Sequence, residues 1–184
     1  MKVLTFSRQF PTRHPKAGQP TYFVEKVWNG FRENFALPEQ FRPWTESYVP
    51  LLKGDEYLES MAIRDIKHHT IRSGDRWKPG EMASLRVWSD KPYRSKQIEF
   101  AQVEVKRVWD IVVYASEFTF EVKVNDALQD KEGQEQVALN DGLNLIDFYN
   151  WFRIHPKKKE LLFTGQIICW SPSIDYTPSL TKKA

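Results

Sequence analysis

The chain has 184 residues, of which 41% are hydrophobic and 28% charged, the proportions of one water-soluble globular domain with a core large enough to fold unaided. No run of about 18 apolar residues occurs, so no membrane span is expected, and residues 1–10 lack the charged-then-apolar order of a secretory signal. A formal net charge of +3 is too small to name a partner, and the single Cys169 excludes an internal disulfide; with no Cys/His pair at zinc-site spacing, a cytoplasmic protein with no structural metal or cofactor is expected.

Lys2 to Phe6 alternates and predicts a first strand. Residues 7–19 follow as a loop punctuated by Pro11, Pro15 and Gly18, whose Arg8, Arg13, His14 and Lys16 are expected to lie beside a cleft and offer donors to phosphates. Pro20-Thr21 opens a helix in which Phe23, Val27 and Phe31 recur at helical spacing, widened by Val24 and Trp28. Gly30 is its weak point, and Pro38 lies beyond its end. Residues 37–55 carry Pro38, Pro43, Pro50 and Gly54 and read as irregular, and a second short helix is predicted over 55–63.

Strands are predicted over 83–88 and over 98–113, where inward parity passes from Ile98 and Phe100 to Val103 and Val105, marking a bulge near Ala101. Phe118, Phe120, Val122 and Val124 alternate with polar residues as a half-buried strand does, and the polar residues 125–135 read as a mobile loop. Asn144 is an N-cap with Asp147 at its third position and Leu143 ready to staple to Phe148; Leu145, Phe148, Tyr149 and Phe152 share one face of the helix that follows. A last strand over 161–170 comes after Pro156-Lys157-Lys158-Lys159, and residues 172–184 are expected to be a poorly ordered tail. No internal repeat is visible. Many short strands with two or three helices predict a single α+β domain built as a small β-barrel decorated by helices.

Charge is unevenly spread. From Arg72 to Lys96 there are seven Lys/Arg against three acids, whereas from Glu117 to Asp147 there are eight acids against two lysines. A basic side and an acidic side would orient a nucleic acid or nucleotide; ordinary solvated faces give the same pattern.

The densest chemistry lies in Lys67-His68-His69-Thr70-Ile71-Arg72, followed by the turn Ser73-Gly74-Asp75 and then Arg76-Trp77-Lys78-Pro79-Gly80-Glu81. Lys67 and Thr70 point apart if both lie in a strand and converge if Lys67 precedes it. A lysine partly stripped of water loses its proton more easily and can activate a hydroxyl or a water. The plain alternative is a solvated lysine at a helix C-terminus. Arg72 has the fork for a phosphate or carboxylate, or pairs internally with Asp141. His68 and His69 diverge, so one is expected buried and the other exposed. Asp141-Gly142 precedes the stapled helix, either as a carboxylate favoured by a helix N-terminus or as turn chemistry. Trp77, Trp88 and Tyr93, within the basic stretch, are candidates to stack on a base, or are core.

These motifs resemble the ASCH domain, whose pattern runs K-x-x-T-x-R, a turn, then W-x-x-G-[DE]. The resemblance covers residues 61–170 and rests also on Asp141-Gly142-Leu143 and on Phe148 and Trp151-Phe152. It implies a PUA-like barrel over 61–170, with residues 1–60 packed on it as a strand, a basic loop and a helical embellishment, and 171–184 as the tail. It implies a cleft for RNA or a modified nucleoside, with Arg72, Arg76, Trp77, Arg8 and Arg13 as ligand-binding residues. One branch of the family hydrolyses the acetyl amide of N4-acetylcytidine with a lysine base, a threonine nucleophile and a glutamate acid. Position by position these are Lys67, Thr70 and Asp141, the last one methylene shorter, and Ile66 stands where that branch has glycine. A non-enzymatic RNA-binding or protein-interaction module is the alternative expectation.

Overall fold

Alternation builds the strands of this chain, and short polar side chains cap the starts of two of its helices. The computed structural model describes residues 1–34, 46–52, 54–152 and 160–176. The expectations for Pro38, for Pro156–Lys159 and for the tail past residue 176 lie outside them. Three strands, β1 (Lys2–Phe6), β3 (Met82–Trp88) and β4 (Gln97–Glu104), make one sheet in the order β1-β3-β4, with β1 parallel to β3 and β4 antiparallel to it. The other sheet has the order β2-β8-β5-β6-β7, formed by β2 (His69–Ser73), β5 (Arg107–Ser116), β6 (Phe120–Val124), β7 (Ala127–Leu128) and β8 (Glu160–Cys169). Four α-helices accompany them among the described residues: α1 (Phe23–Asn34), α2 (Glu56–Ala62), α3 (Lys131–Asn140) and α4 (Leu145–Trp151). The fold is α+β.

One continuous core joins the two sheets. Leu4 and Phe6 of β1, Leu85 and Val87 of β3, Ile111 and Val113 of β5 and Ile167 of β8 are all buried. Phe6 stands edge-on to Phe100 of β4 at 5.6 Å and to Trp170 at 6.2 Å, so a single ring links the sheets. Each such side chain contributes about 1.5–3 kcal/mol by leaving water.

The bulge expected near Ala101 is present. Pairing passes from Leu85 opposite Ala101 to Arg86 opposite Glu99, which leaves Phe100 as the extra residue. The single strand expected over 98–113 is instead two strands meeting at a corner. Val105 donates its N–H to the Glu81 carbonyl (2.8 Å) beside the first sheet, and Lys106 donates to Cys169 (2.8 Å) in the second. Side-chain parity continues through such a corner, so the apolar pattern does not register it.

The expected loop over 125–135 is a hairpin and a helix. Asn125 and Asp126 both hold positive φ (46° and 63°), the pair of conformations a two-residue hairpin turn needs. Asp130 then caps α3 by accepting from Gly133 N–H at 2.8 Å. Phe118, expected in a strand, is 90% exposed in the preceding turn. The helix α4 begins as predicted: Asn144 Oδ1 accepts from Asp147 N–H, and Asn144 Nδ2 donates to the Asp147 carboxylate, both at 2.8 Å. The first residues of the expected tail are held in place, because Tyr176 packs edge-on against Trp109 (5.0 Å) and Arg107 donates to the Ile174 carbonyl (2.8 Å).

Gly30, the weak point in α1, is where that helix comes closest to the segment ahead of β2. A Cβ there would sit 3.0 Å from Ile66 Cγ2 and 3.1 Å from the Lys67 carbonyl. The Lys67 N–H donates to Lys26 of α1 at 2.9 Å. The glycine costs helix propensity and permits this approach.

Candidate functional site

Lys67 lies five residues past the end of α2 and two before β2 begins, so it belongs to neither a helix C-terminus nor the strand. That placement lets it converge with Thr70, the outcome the sequence ties to a Lys67 that precedes the strand. Lys67, Thr70, Arg72 and Asp141 all line one cavity of about 140 Å³, whose remaining walls include the rings of Phe6, Phe23, Trp151 and Phe152.

The lysine is 1% exposed and donates to Asp141 twice, to Oδ1 at 2.6 Å and to the backbone carbonyl. Its ammonium also lies 4.3 Å from the centre of the Phe23 ring, a cation–π contact. Burial lowers its pKa from the usual lysine range to about 8, Asp141 opposing the shift and Arg72 and Lys26 adding to it. A lysine so placed spends a sizeable fraction of its time neutral near pH 8.

Asp141 is held by a motif the sequence did not reveal. It caps the C-terminus of α3, not the N-terminus of a helix. Leu143 N–H donates to Ala138 (3.0 Å) and Gly142 N–H to Leu139 (2.8 Å), with Gly142 at φ 78°, which together make a Schellman ending. A helix C-terminus disfavours an anion, and burial pushes the carboxyl up as well. The Lys67 charge, with His69 behind it, outweighs burial and holds Asp141 below the usual carboxylate range.

His69 is fully buried, with Nε2 2.9 Å from the Tyr176 hydroxyl and Nδ1 3.7 Å from Asp141 Oδ1, and burial lowers its pKa. Tyr176 in turn accepts from Asn140 Nδ2 at 2.8 Å. His68 is buried too, which corrects the expectation that one of the pair is exposed: it borders a larger hollow, while His69 faces Asp141 and Tyr176. Arg72 donates to Thr5 of β1 (2.7 Å) and to its neighbour's carbonyl, Ile71 (2.8 Å), so it ties β2 to β1 while bordering the cavity.

The other expected ligand residues are not brought to this cavity. Trp77 is 2% exposed, its ring beneath the Lys2 ammonium and its backbone bonded to Gln166, so it is core. Arg8 donates to Leu51 (2.9 Å) and sits 3.5 Å from Glu56. Arg76 and Arg13 are exposed elsewhere. In the N-terminal loop, His14 is buried against Asp147, and Lys16 pairs with the same carboxylate at 2.6 Å, so both fasten the loop to α4. The walls Phe6 and Phe23 and the support from Tyr176 are the parts sequence reasoning did not find; only Trp151-Phe152 carried a signal, as part of the ASCH resemblance.

A larger hollow of about 700 Å³ lies on the other side of Gly142 and is bordered by Lys16, Lys26 and Asn140, but neither Thr70 nor Asp141 reaches it. Among the described residues, no group of three or more His, Cys, Asp or Glu is placed to hold a metal ion, and no helix is long and apolar enough to cross a membrane. No family model, curated protein or solved structure matches this chain.

Proposed function

We propose that the small cavity takes the base of a modified pyrimidine nucleoside and that Lys67, Thr70 and Asp141 open an acyl amide on it. The observation that carries this reading is the convergence of a buried, readily deprotonated lysine with a hydroxyl, a carboxylate and a guanidinium in a space walled by aromatic rings. About 150 Å³ is enough for one six-membered ring, so a cavity of this size suits a base and little more. Two contacts to Asp141 occupy two amine hydrogens of neutral Lys67, which leaves its lone pair for a third direction. The lysine takes the Thr70 hydroxyl proton as Oγ1 adds to the amide carbonyl. The ammonium then returns that proton to the departing ring amine, and water attacks the resulting ester to release the acid.

The same reading makes the two sheets halves of a PUA-like barrel. It is supported on one side by the corner at Val105 and Lys106, where the chain passes from sheet to sheet, and on the other by the Arg72 bond from β2 to β1.

A binding module without chemistry is the second reading, favoured by the fact that Lys67 and Arg72 are already partnered within the fold. Incubation with N4-acetylcytidine separates the two, since only the first releases acetate and cytidine. Lys67→Met should abolish release while nucleoside affinity stays within about tenfold, and Lys67→Arg should not restore it, because arginine stays protonated. Full activity in Lys67→Arg would overturn the mechanism.

A further inference from the structure

The hollow beyond Gly142 holds about 700 Å³ against about 140 Å³ for the cavity at Lys67, and it contains a second buried lysine. Lys26, the fourth residue of α1, lines it and is only 8% exposed. Its ammonium donates to the Gly142 carbonyl at 2.8 Å and lies 3.4 Å from Asp65. Two features of the place disfavour a charged lysine. Burial strips water from the cation, and the positive end of the helix dipole is within one turn, toward which the side chain leans because Cα–Cβ bonds tilt to a helix N-terminus. Lys16 brings another ammonium to the same hollow. Burial accordingly lowers the pKa of Lys26, Asp65 and Asp147 opposing the shift and Lys16 adding to it. An amine kept short of its proton in a cavity is a nucleophile.

The walls describe what such an amine would meet. Tyr22, just ahead of α1, borders the hollow with φ 54°, a strained backbone for a tyrosine and of the kind that gathers at binding sites. The charges cancel locally, since Lys16 lies 2.6 Å from Asp147 as Lys26 lies beside Asp65. At the rim the side-chain amides of Gln19 and Gln136 are exposed and bond nothing among the described residues.

We infer that Lys26 is the nucleophile of a second site, which captures a small hydroxyaldehyde as an imine. The amine adds to the aldehyde carbon. The aldehyde oxygen then leaves as water with the two amine hydrogens, Asp65 relaying the protons, and a C=N bond to Lys26 remains. Locally balanced charge favours an uncharged ligand, and free amides supply a donor and an acceptor to its hydroxyls. Lys67, Thr70 and Asp141 take no part, so this site stands or falls apart from the acyl-amide reading.

The test is reductive trapping. The full chain is incubated at neutral pH with D-glyceraldehyde and sodium cyanoborohydride, whose hydride converts the imine to a stable secondary amine, and is then digested for mass spectrometry. Lys26 should be tagged at least about tenfold faster than the exposed Lys91 and Lys96, although it is far less accessible. Unfolding the protein first should abolish that preference. With propanal, an aldehyde without hydroxyls, the preference should fall about fivefold, the effect of one lost hydrogen bond, and Gln136→Ala should lower the preference for glyceraldehyde in the same way. Lys26 untagged, or tagged no faster than Lys91 and Lys96, would overturn the inference. Equal preference for propanal and glyceraldehyde would overturn the hydroxyaldehyde as its ligand.

Discussion

Replacing Asp141 by asparagine removes the charge opposite Lys67 while keeping an acceptor of the same shape, and the cost follows from the lysine alone. A free lysine titrates near ~10.4, so a fold that holds Lys67 near about 8 gives up about 3 kcal/mol at pH 7, at ~1.36 kcal/mol per pH unit. Discarding the proton altogether at pH 7 would cost about 5 kcal/mol, a ceiling set by the free pKa. The asparagine variant, left with a neutral amine, should therefore be less stable than wild type by about 1.4 kcal/mol at pH 7. The sign with pH is fixed. Because the folded pKa is lowered, the unfolded chain holds more protons between about pH 8 and ~10.4, and wild-type stability rises across that window. In the variant the rise starts below pH 8, so the gap between the two should close by about pH 9.5. Urea unfolding at both pH values measures it. A gap of the same size at pH 7 and 9.5 would refute the idea that the missing charge acts through Lys67.

Three further outcomes are expected. Acetate release from N4-acetylcytidine should rise with pH and level off above about 8, as the lysine becomes neutral; a flat profile between pH 6 and 9 would exclude Lys67 as the base. Gly142→Ala should lower stability by about 1–3 kcal/mol in a thermal melt, because φ is 78° and the new Cβ would lie 3.2 Å from Lys67 Cβ. Cys169 is fully buried and burial pushes its thiol up to about 12, so iodoacetamide should label it only in denaturant; rapid labelling of the native protein would contradict the packing of β8 against β2 and β5.

What the sequence made legible was local. Leu143, Asn144 and Asp147 announce α4 because a cap and its partner are three residues apart. The alternation of Lys2–Phe6 and the parity switch around Phe100 mark strand and bulge in the same way. Asp141 was misplaced because α3 was read as loop: Gly133 interrupts it, and its apolar residues form little of a stripe, although Asp130 was there as a cap. Trp77 and Arg8 show a different limit. Whether a tryptophan is platform or core, and whether an arginine is spoken for, depends on Gln166, Leu51 and Glu56, residues far along the chain. The meeting of Lys67 with Thr70 turned on where β2 begins, which the segment alone leaves open.

The parallel pairing of β1 with β3 has a consequence for how the protein is made. Lys2 aligns with Ala83 and Phe6 with Val87, so β1 has no partner until some eighty further residues have been synthesised. At about 5–20 residues per second that is roughly 4–16 s of waiting. During that interval Leu4 and Phe6, destined for the core, form an unpaired apolar edge of the sort that attracts other chains. Such a distant pairing is also slow to close, which favours a nascent chain attended by chaperones. Phe6 and Thr5 are walls of the cavity as well, so the pocket takes shape only when they meet Lys67, Arg72 and Asp141, made well after them.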